Sequence, residues 1–355
     1  MNSQGRAPRD AATAMAEAQR IAFAPVVFQA CRVMRENGIL ERVRHAGKAG
    51  LTVEEAARAT GLPRYGVKVL MESGLGAGVF ELAGGRYVLT PLGMVLLRDP
   101  MTRVNMDFIH DVCYRGLFDL DRAIVEGRPA GLESHGDWST VYEALSSLPE
   151  RVQKSWFAFD HYYSDRAFPA ALPLVFAGRP RRLADVGGNT GKWAALCAAH
   201  DPEVAITIVD LPQQLEFARR TVEGLGLVSR VALHGCDLLD PNSALPPGQD
   251  AVWMSQFLDC FSEEQIVSIL RRARGALAPG GAVFVLELFW DRQPNETAAF
   301  CLQQTSLYFT CIANGNSQMY HSSDFRRCLD AAGLAIDQQW DGVGLYHTLL
   351  KCRAV

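Results

Sequence analysis

The run LADVGGNTGKW at 183–193 carries the densest chemical signal in the sequence. A strand ending at Asp185 would enter a turn containing Gly187, Gly188 and Gly191, with a helix directly after it. Glycines permit positive φ and let a ligand approach the main chain with no Cβ in the way. The helix N-terminus offers free N–H groups to a carboxylate, and Asp185 can balance an ammonium. Those two charges lie together on an amino acid joined to a nucleoside. The spacing Gly-Gly-x-x-Gly lacks the third glycine of the dinucleotide fingerprint, so a pyrophosphate is less well served. VAITIVDL then ends in Asp210, suited to ribose hydroxyls, and HGCDLLD carries Asp237, which can accept the exocyclic amine of adenine. Each alone is more often an ordinary turn or loop acid. Three in register at consecutive strand ends, where open α/β sheets bind ligands, say much more.

Positioning these residues requires alternating strands and helices. The pattern predicts strands over RRLADVGG, VAITIVDL, RVALHGCDLL, DAVWMSQFL and AVFVLELF, with helices at 192–200, 212–226 and 263–277. Such alternation implies right-handed crossovers and a doubly wound, mostly parallel, Rossmann-like α/β sheet. After a helix at 322–333, LAIDQQWDG and GLYHTLLKCR read as a closing antiparallel pair. Upstream, residues 13–45 read as helices with Ile21, Val26, Val27, Ala30, Val33 and Met34 on one side. Thr52 and Glu55 form a capping box, Gly61 closes that helix, and Pro63 opens the next. FELAGGRYVLTPLG supplies two short strands about Ala83-Gly84-Gly85, completing an N-terminal helical, winged-helix-like domain. Residues 101–175 read as an aromatic-rich helical connection.

Composition limits the partners. The 355 residues suggest two domains, and 48% hydrophobic with 21% charged residues is ordinary for a globular chain. A net charge of -4 gives no field to draw in nucleic acid or anionic lipid. Nine scattered cysteines without a Cys-x-x-Cys pair argue against a metal site or disulfide framework and fit a reducing cytoplasm. The N-terminal residues are polar, with Asp10 and Glu17 where a signal peptide avoids acids. The first apolar stretch is broken by Pro25 and Arg32 and is too short to cross a bilayer.

Taken together, LTVEEAARATGL, YVLTPLG, DVGGNTG, IVDLP and LRRARGALAPGGAVFVLE resemble the class I methyltransferases. Within them the chain is similar to the small-molecule O-methyltransferase family that includes the caffeic acid and acetylserotonin enzymes. The resemblance spans nearly the whole chain. It implies S-adenosylmethionine as methyl donor, held by Asp185, Gly187, Gly188, Gly191, Asp210, Leu211, Asp237 and Leu238, with Ser255 and Gln256 close by. It also implies a homodimer through a winged-helix-like dimerisation domain at 1–105, a helical linker at 106–175 contributing to the acceptor pocket, and a methyltransferase domain at 176–355. Pro279-Gly280-Gly281 matches the family's turn before its fifth strand.

One stretch departs from that family. Its catalytic segment reads approximately Leu-His-Asp-Trp-Ser-Asp-Glu, and this chain has LDCFSEE at 258–264. Asp259 therefore stands at the general-base histidine position and Cys260 at the neighbouring aspartate. The acidic residue before the last helix is replaced by Met319. Taking a proton from a phenol of pKa near 10 onto an ordinary aspartate is uphill by roughly 8 kcal/mol. Either burial raises the Asp259 pKa, or Asp259 orients another base such as His161 or His321. Methylation of a ring carbon ortho to a hydroxyl is the other chemistry that fits, since it needs phenolate character and only a modest base.

The expected acceptor is a small hydroxyaryl or polyketide-like molecule, with Trp156, Phe159, Tyr163, Gln303, Tyr308 and Asn314 as candidate contacts. Aromatic residues at helical spacing are more often core than pocket. Glu287, at the end of the fifth strand, suits either catalysis or capping of the strand end. A DNA-binding regulator is the competing class, but only Arg64, Tyr65 and Lys68 are available on the second helix to read a groove. A cofactor-binding protein that has lost catalysis is the third reading.

Overall fold

The computed structural model describes residues 10–355, so the expectation for the first nine positions lies outside the described residues. Two compact units divide the chain after Asp107.

In the first unit, α1 (Ala11–Glu36) starts at Asp10, whose side chain accepts from the Thr13 N–H, and carries Pro25 inside it. α2 (Ile39–Ala46) follows Gly38, which holds φ 78°. The Thr52/Glu55 capping box opens α3 (Val53–Thr60), and α4 (Arg64–Gly76) follows Pro63. β1 (Phe80–Ala83) and β2 (Arg86–Leu89) form the antiparallel wing, with Phe80 opposite Leu89. α5 (Pro91–Arg98) is capped by Thr90, and α6 (Pro100–Phe108) runs to the unit boundary. Met34, Ile39, Leu40, Val43, Val67, Met71 and Phe80 fill the core. The apolar stripe read along α1 divides: Met34 is buried, while Ile21 and Val26 are exposed.

The second unit begins with short helices α7 (Leu120–Glu126) and α8 (Val141–Ala144), then the long α9 (Glu150–Phe176). Alternation follows: β3 (Arg182–Val186), α10 (Lys192–His200), β4 (Ala205–Asp210), α11 (Leu215–Gly224), β5 (Val231–Gly235), β6 (Gln249–Ser255), α12 (Glu263–Ala276) and β7 (Leu277–Glu287). α13 (Glu296–Tyr308), α14 (Ser322–Ala332), β8 (Leu334–Val343) and β9 (His347–Ala354) complete it. The seven strands lie in the order β5-β4-β3-β6-β7-β9-β8. β3 to β7 are parallel, and β9 pairs antiparallel with both β7 and β8. Chain order reverses direction between β3 and β6, which opens a crevice at the carboxyl ends of these strands.

Alternate residues of β6 serve opposite layers. Val252 and Met254 pack toward α12 and α14, and Ala251 and Trp253 toward α9, α10 and α11. A third apolar cluster joins residues 108–152 to α13 and the π-turn after it. Pro279-Gly280-Gly281 is not a turn ahead of the strand. It lies inside β7 as an irregularity, where pairing skips from Gln249/Leu277 to Ala251/Ala282.

Candidate active site

The glycine turn has a steric reason for its composition. Gly187 holds φ 71°, its N–H donates to Val209 O at 2.8 Å, and a Cβ there would lie 2.3 Å from the Phe257 ring. At Gly188 a Cβ would come within 3.0 Å of Asp185 Oδ2. The two glycines thus keep the main chain low beneath an open crevice. Gly191, at φ 77°, caps α10 and does not line the crevice wall.

Carboxylates at three strand ends face this space. Asp185 is 2% exposed, and its Oδ2 has no hydrogen-bond partner. Burial, then the Asp210 charge, pushes its pKa up to about 7. Asp210 accepts the N–H groups of Leu211 at 2.8 Å and Asn189 at 2.9 Å, and burial raises it to about 6. Asp237 sits exposed at the rim, accepting from Leu239 N–H at 2.8 Å. Leu211, Leu238, Ser255 and Gln256 line the same cavity. Gln256 takes φ 46°, a left-handed conformation, and its Oε1 lies 2.7 Å from Nε2 of the fully buried His347. Burial pushes His347 down to about 4, so the ring is neutral.

S-adenosylmethionine fits what these residues leave unsatisfied. Besides Asp185 Oδ2, the buried Gln214 Oε1, Ser255 Oγ and Asn189 Oδ1 lack partners, and all four residues line the cavity. Buried polar atoms left unpaired are costly, so a ligand donating hydrogen bonds stabilises the arrangement. Asp185 would take the ammonium, Asp210 the ribose, and Asp237 with Leu238 the adenine edge.

The expected catalytic residues part company. Asp259 lies in the short 3-10 turn after β6, 6% exposed, and does not line the cavity; Phe257, Cys260 and Phe261 do. Cys260 Sγ donates to Asp259 Oδ1 at 3.4 Å, and burial raises Asp259 to about 6. Glu287 explains the turn. It is 2% exposed and accepts the N–H groups of Phe257 and Leu258 at 3.1 and 2.8 Å, so it caps the strand end and anchors the loop. Burial, then the Asp259 charge, holds Glu287 well above the ordinary carboxyl range. His161, on α9, does line the cavity. Its Nε2 is 3.9 Å from Asp160 Oδ2, and burial, then Lys192, lowers its pKa. His321 instead caps α14, accepting from Ser323 N–H.

Of the acceptor candidates, Trp156 and Asn314 line the cavity. Four others do not. Phe159 stacks on Phe108 at 4.0 Å, Tyr163 packs edge-on against Phe159, and Gln303 is exposed on α13. Tyr308 is buried and supports the site indirectly, accepting from Trp156 Nε1 at 2.8 Å. Asn314 Nδ2 donates to Cys260 O at 2.6 Å, tying the π-turn to the loop after β6. Asp160, Asn189, Gln214 and Tyr142, not singled out by their sequence, also line the cavity. The spacing Trp156, Asp160, Ser164 marks one helical face and carried the signal for Asp160.

Residues 16–87 match the Dimerisation2-like domain and residues 173–335 the O-methyltransferase domain. The chain is 23% identical to the L-tyrosine C(3)-methyltransferase of Streptomyces lavendulae, over 93% of this chain and 88% of that protein. It is 27% identical to the 3-amino-4-hydroxybenzoate 4-O-methyltransferase of Streptomyces cremeus, over 87% and 82%. Among solved structures, the apo form of the S-adenosylmethionine-dependent methyltransferase SibL superposes with a TM-score of 0.71 at 26% identity, over 94% of this chain and 98% of that one. Domain pair and relatives agree: the chain belongs to the S-adenosylmethionine-dependent methyltransferases that join a Dimerisation2-like domain to an O-methyltransferase domain.

Proposed function

We propose that this enzyme methylates an oxygen or a ring carbon of a small hydroxyaryl acceptor, with His161 as the proton acceptor. The observation that supports this most is the continuity of one cavity: the donor residues at the strand ends share it with Trp156, Phe257, Phe261 and His161. S-adenosylmethionine supplies an electrophilic methyl group on a sulfonium. The chain's part is to hold an aromatic ring against Trp156, exclude water, and receive a proton. Trp156 is fixed for this by Tyr308. Position rather than basicity selects the imidazole: His161 lines the cavity and Asp259 does not, while burial lowers the His161 pKa and raises that of Asp259 to about 6. Asp259, behind Cys260, takes no direct part.

The names of relatives include both a carbon and an oxygen methyltransferase. The histidine missing at position 259 favours the carbon-directed alternative, in which hydrogen bonds to the hydroxyl need only increase phenolate character. Purified enzyme, donor and a panel of hydroxyaryl acceptors, with NMR locating the new methyl, tests both. Transfer to oxygen or an ortho carbon is expected, and no transfer to any hydroxyaryl molecule would contradict the proposal.

We place dimerisation in the first unit. Met15, Phe23, Val26 and Val27 share one side of α1, and the first three are more than 60% exposed. On α4, Arg64 pairs with Glu54 and Lys68 with Glu72, which leaves those cations poorly placed to neutralise phosphates. The seven buried free thiols fit a reducing, cytoplasmic setting.

A further inference from the structure

The geometry points to an acceptor that carries a protonated amine beside its aromatic ring, received by Asp160. This rests on the methyltransferase reading above and names its substrate class more closely.

Charge in the cavity is one-sided. Its acidic lining consists of Glu143, Asp160, Asp165, Asp185, Asp210 and Asp237, against Lys192 and His161. Three of these acids, at 185, 210 and 237, belong to the donor. Lys192 is already committed to Asp165, with Nζ 2.6 Å from its Oδ2. His161 stands with Nε2 3.9 Å from Asp160 Oδ2, but burial, then Lys192, lowers its pKa and disfavours a cation there. Glu143 is exposed, so Asp160 is the remaining partly buried acid; the Asn189 amide donates to its Oδ2 at 3.2 Å, and no committed cation faces it. A partly buried carboxylate without a counter-ion is costly, and a ligand cation offsets that cost.

Position gives the same answer. Trp156, Asp160 and Ser164 follow at four-residue intervals on α9 and all line the cavity, so their Cβ atoms stand roughly 5–6 Å apart along one face. A ring packed on Trp156 would bring a short aminoalkyl or amino-acid arm to Asp160 one helical turn away. Asp165 Oδ1, unsatisfied in the same wall and not assigned to the donor, is a further acceptor for an ammonium with three donors. Burial, then the Asp259 and Asp165 charges, raises the Asp160 pKa to about 7, with Lys192 and Asn189 opposing. An arriving ammonium would drive out the remaining proton.

The test uses full-length enzyme saturated with S-adenosylhomocysteine and three probes of similar shape: tyramine (cation), 4-ethylphenol (neutral) and 4-hydroxyphenylacetate (anion). Calorimetry should show tyramine binding at least tenfold tighter than 4-ethylphenol, 4-hydroxyphenylacetate weakest, and proton release on tyramine binding near pH 7. In Asp160→Asn the preference for the cation and the proton release should vanish, with folding checked by thermal melting. Equal or tighter binding of the neutral or anionic probe to wild type would overturn the inference. So would failure of all three to bind the loaded enzyme, or an unchanged preference in a folded Asp160→Asn. Failure of S-adenosylhomocysteine itself to bind would instead overturn the donor reading on which the inference stands.

Discussion

The family resemblance sets Asp259 where a histidine is expected, and the consequence depends on where that carboxylate lies. Buried behind Cys260 and next to the Glu287 anchor, Asp259 meets the loop rather than the cavity. Asp259→Asn is therefore expected to keep kcat within a few-fold. His161→Gln should lower kcat by about 10²-fold or more, the usual contribution of a positioned base, with little effect on donor affinity. Steady-state kinetics on both variants with a productive acceptor checks this; a large kcat loss confined to Asp259→Asn would reverse the assignment. At this scale the strand-end carboxylates of the cavity were legible and the residues on its helical wall only partly so. Asp185, Asp210 and Asp237 follow recognisable strands, and a strand end fixes where a side chain goes. Phe159, Tyr163 and Tyr308 sit on helices, where residue type does not tell which side faces a ligand.

Local structure was legible wherever periodicity was strong. β3 to β6 and α10 fall within a few residues of expectation because continuous apolar runs and glycine breaks leave few alternatives. The capping box at Thr52 forms as its spacing requires. α13 is not legible in the sequence, since its buried and exposed residues follow no amphipathic stripe. Pro279-Gly280-Gly281 was read as a turn because both residue types favour one, yet pairing of β7 with β6 resumes across it. The turn after β3 is the element most sensitive to change. Gly187→Ala would place a methyl group against the Phe257 ring at a φ of 71°. It should cost about 1–3 kcal/mol in stability, and donor binding should fall by at least tenfold as the loop shifts. A variant that melts and binds S-adenosylhomocysteine like wild type would show that the turn does not need its glycine.

The whole molecule joins a donor crevice to a unit with an uncovered apolar helix side. Pairing Phe23→Glu with Val26→Glu should convert a dimer to a monomer in light scattering; an unchanged mass would place the interface elsewhere. Among the described residues no helix is long and apolar enough to cross a membrane. The donor site remains the claim on which the rest depends, and its titration behaviour makes it testable without any acceptor. Asp185 is raised from 3.8 to about 7, so the folded protein retains a proton that the unfolded chain has lost. The stability linked to that proton is full below pH 4 and is lost as pH rises through 7. A bound ammonium favours the ionised carboxylate and reverses the trend. Calorimetric titration of S-adenosylhomocysteine at pH 6, 7 and 8 into wild type and Asp185→Asn is the most direct measurement. One equivalent per chain should bind, more tightly as pH rises and with proton release, while the variant binds at least tenfold more weakly with a shallower dependence. Absence of saturable binding to wild type, or the same affinity and pH slope in both proteins, would contradict the account.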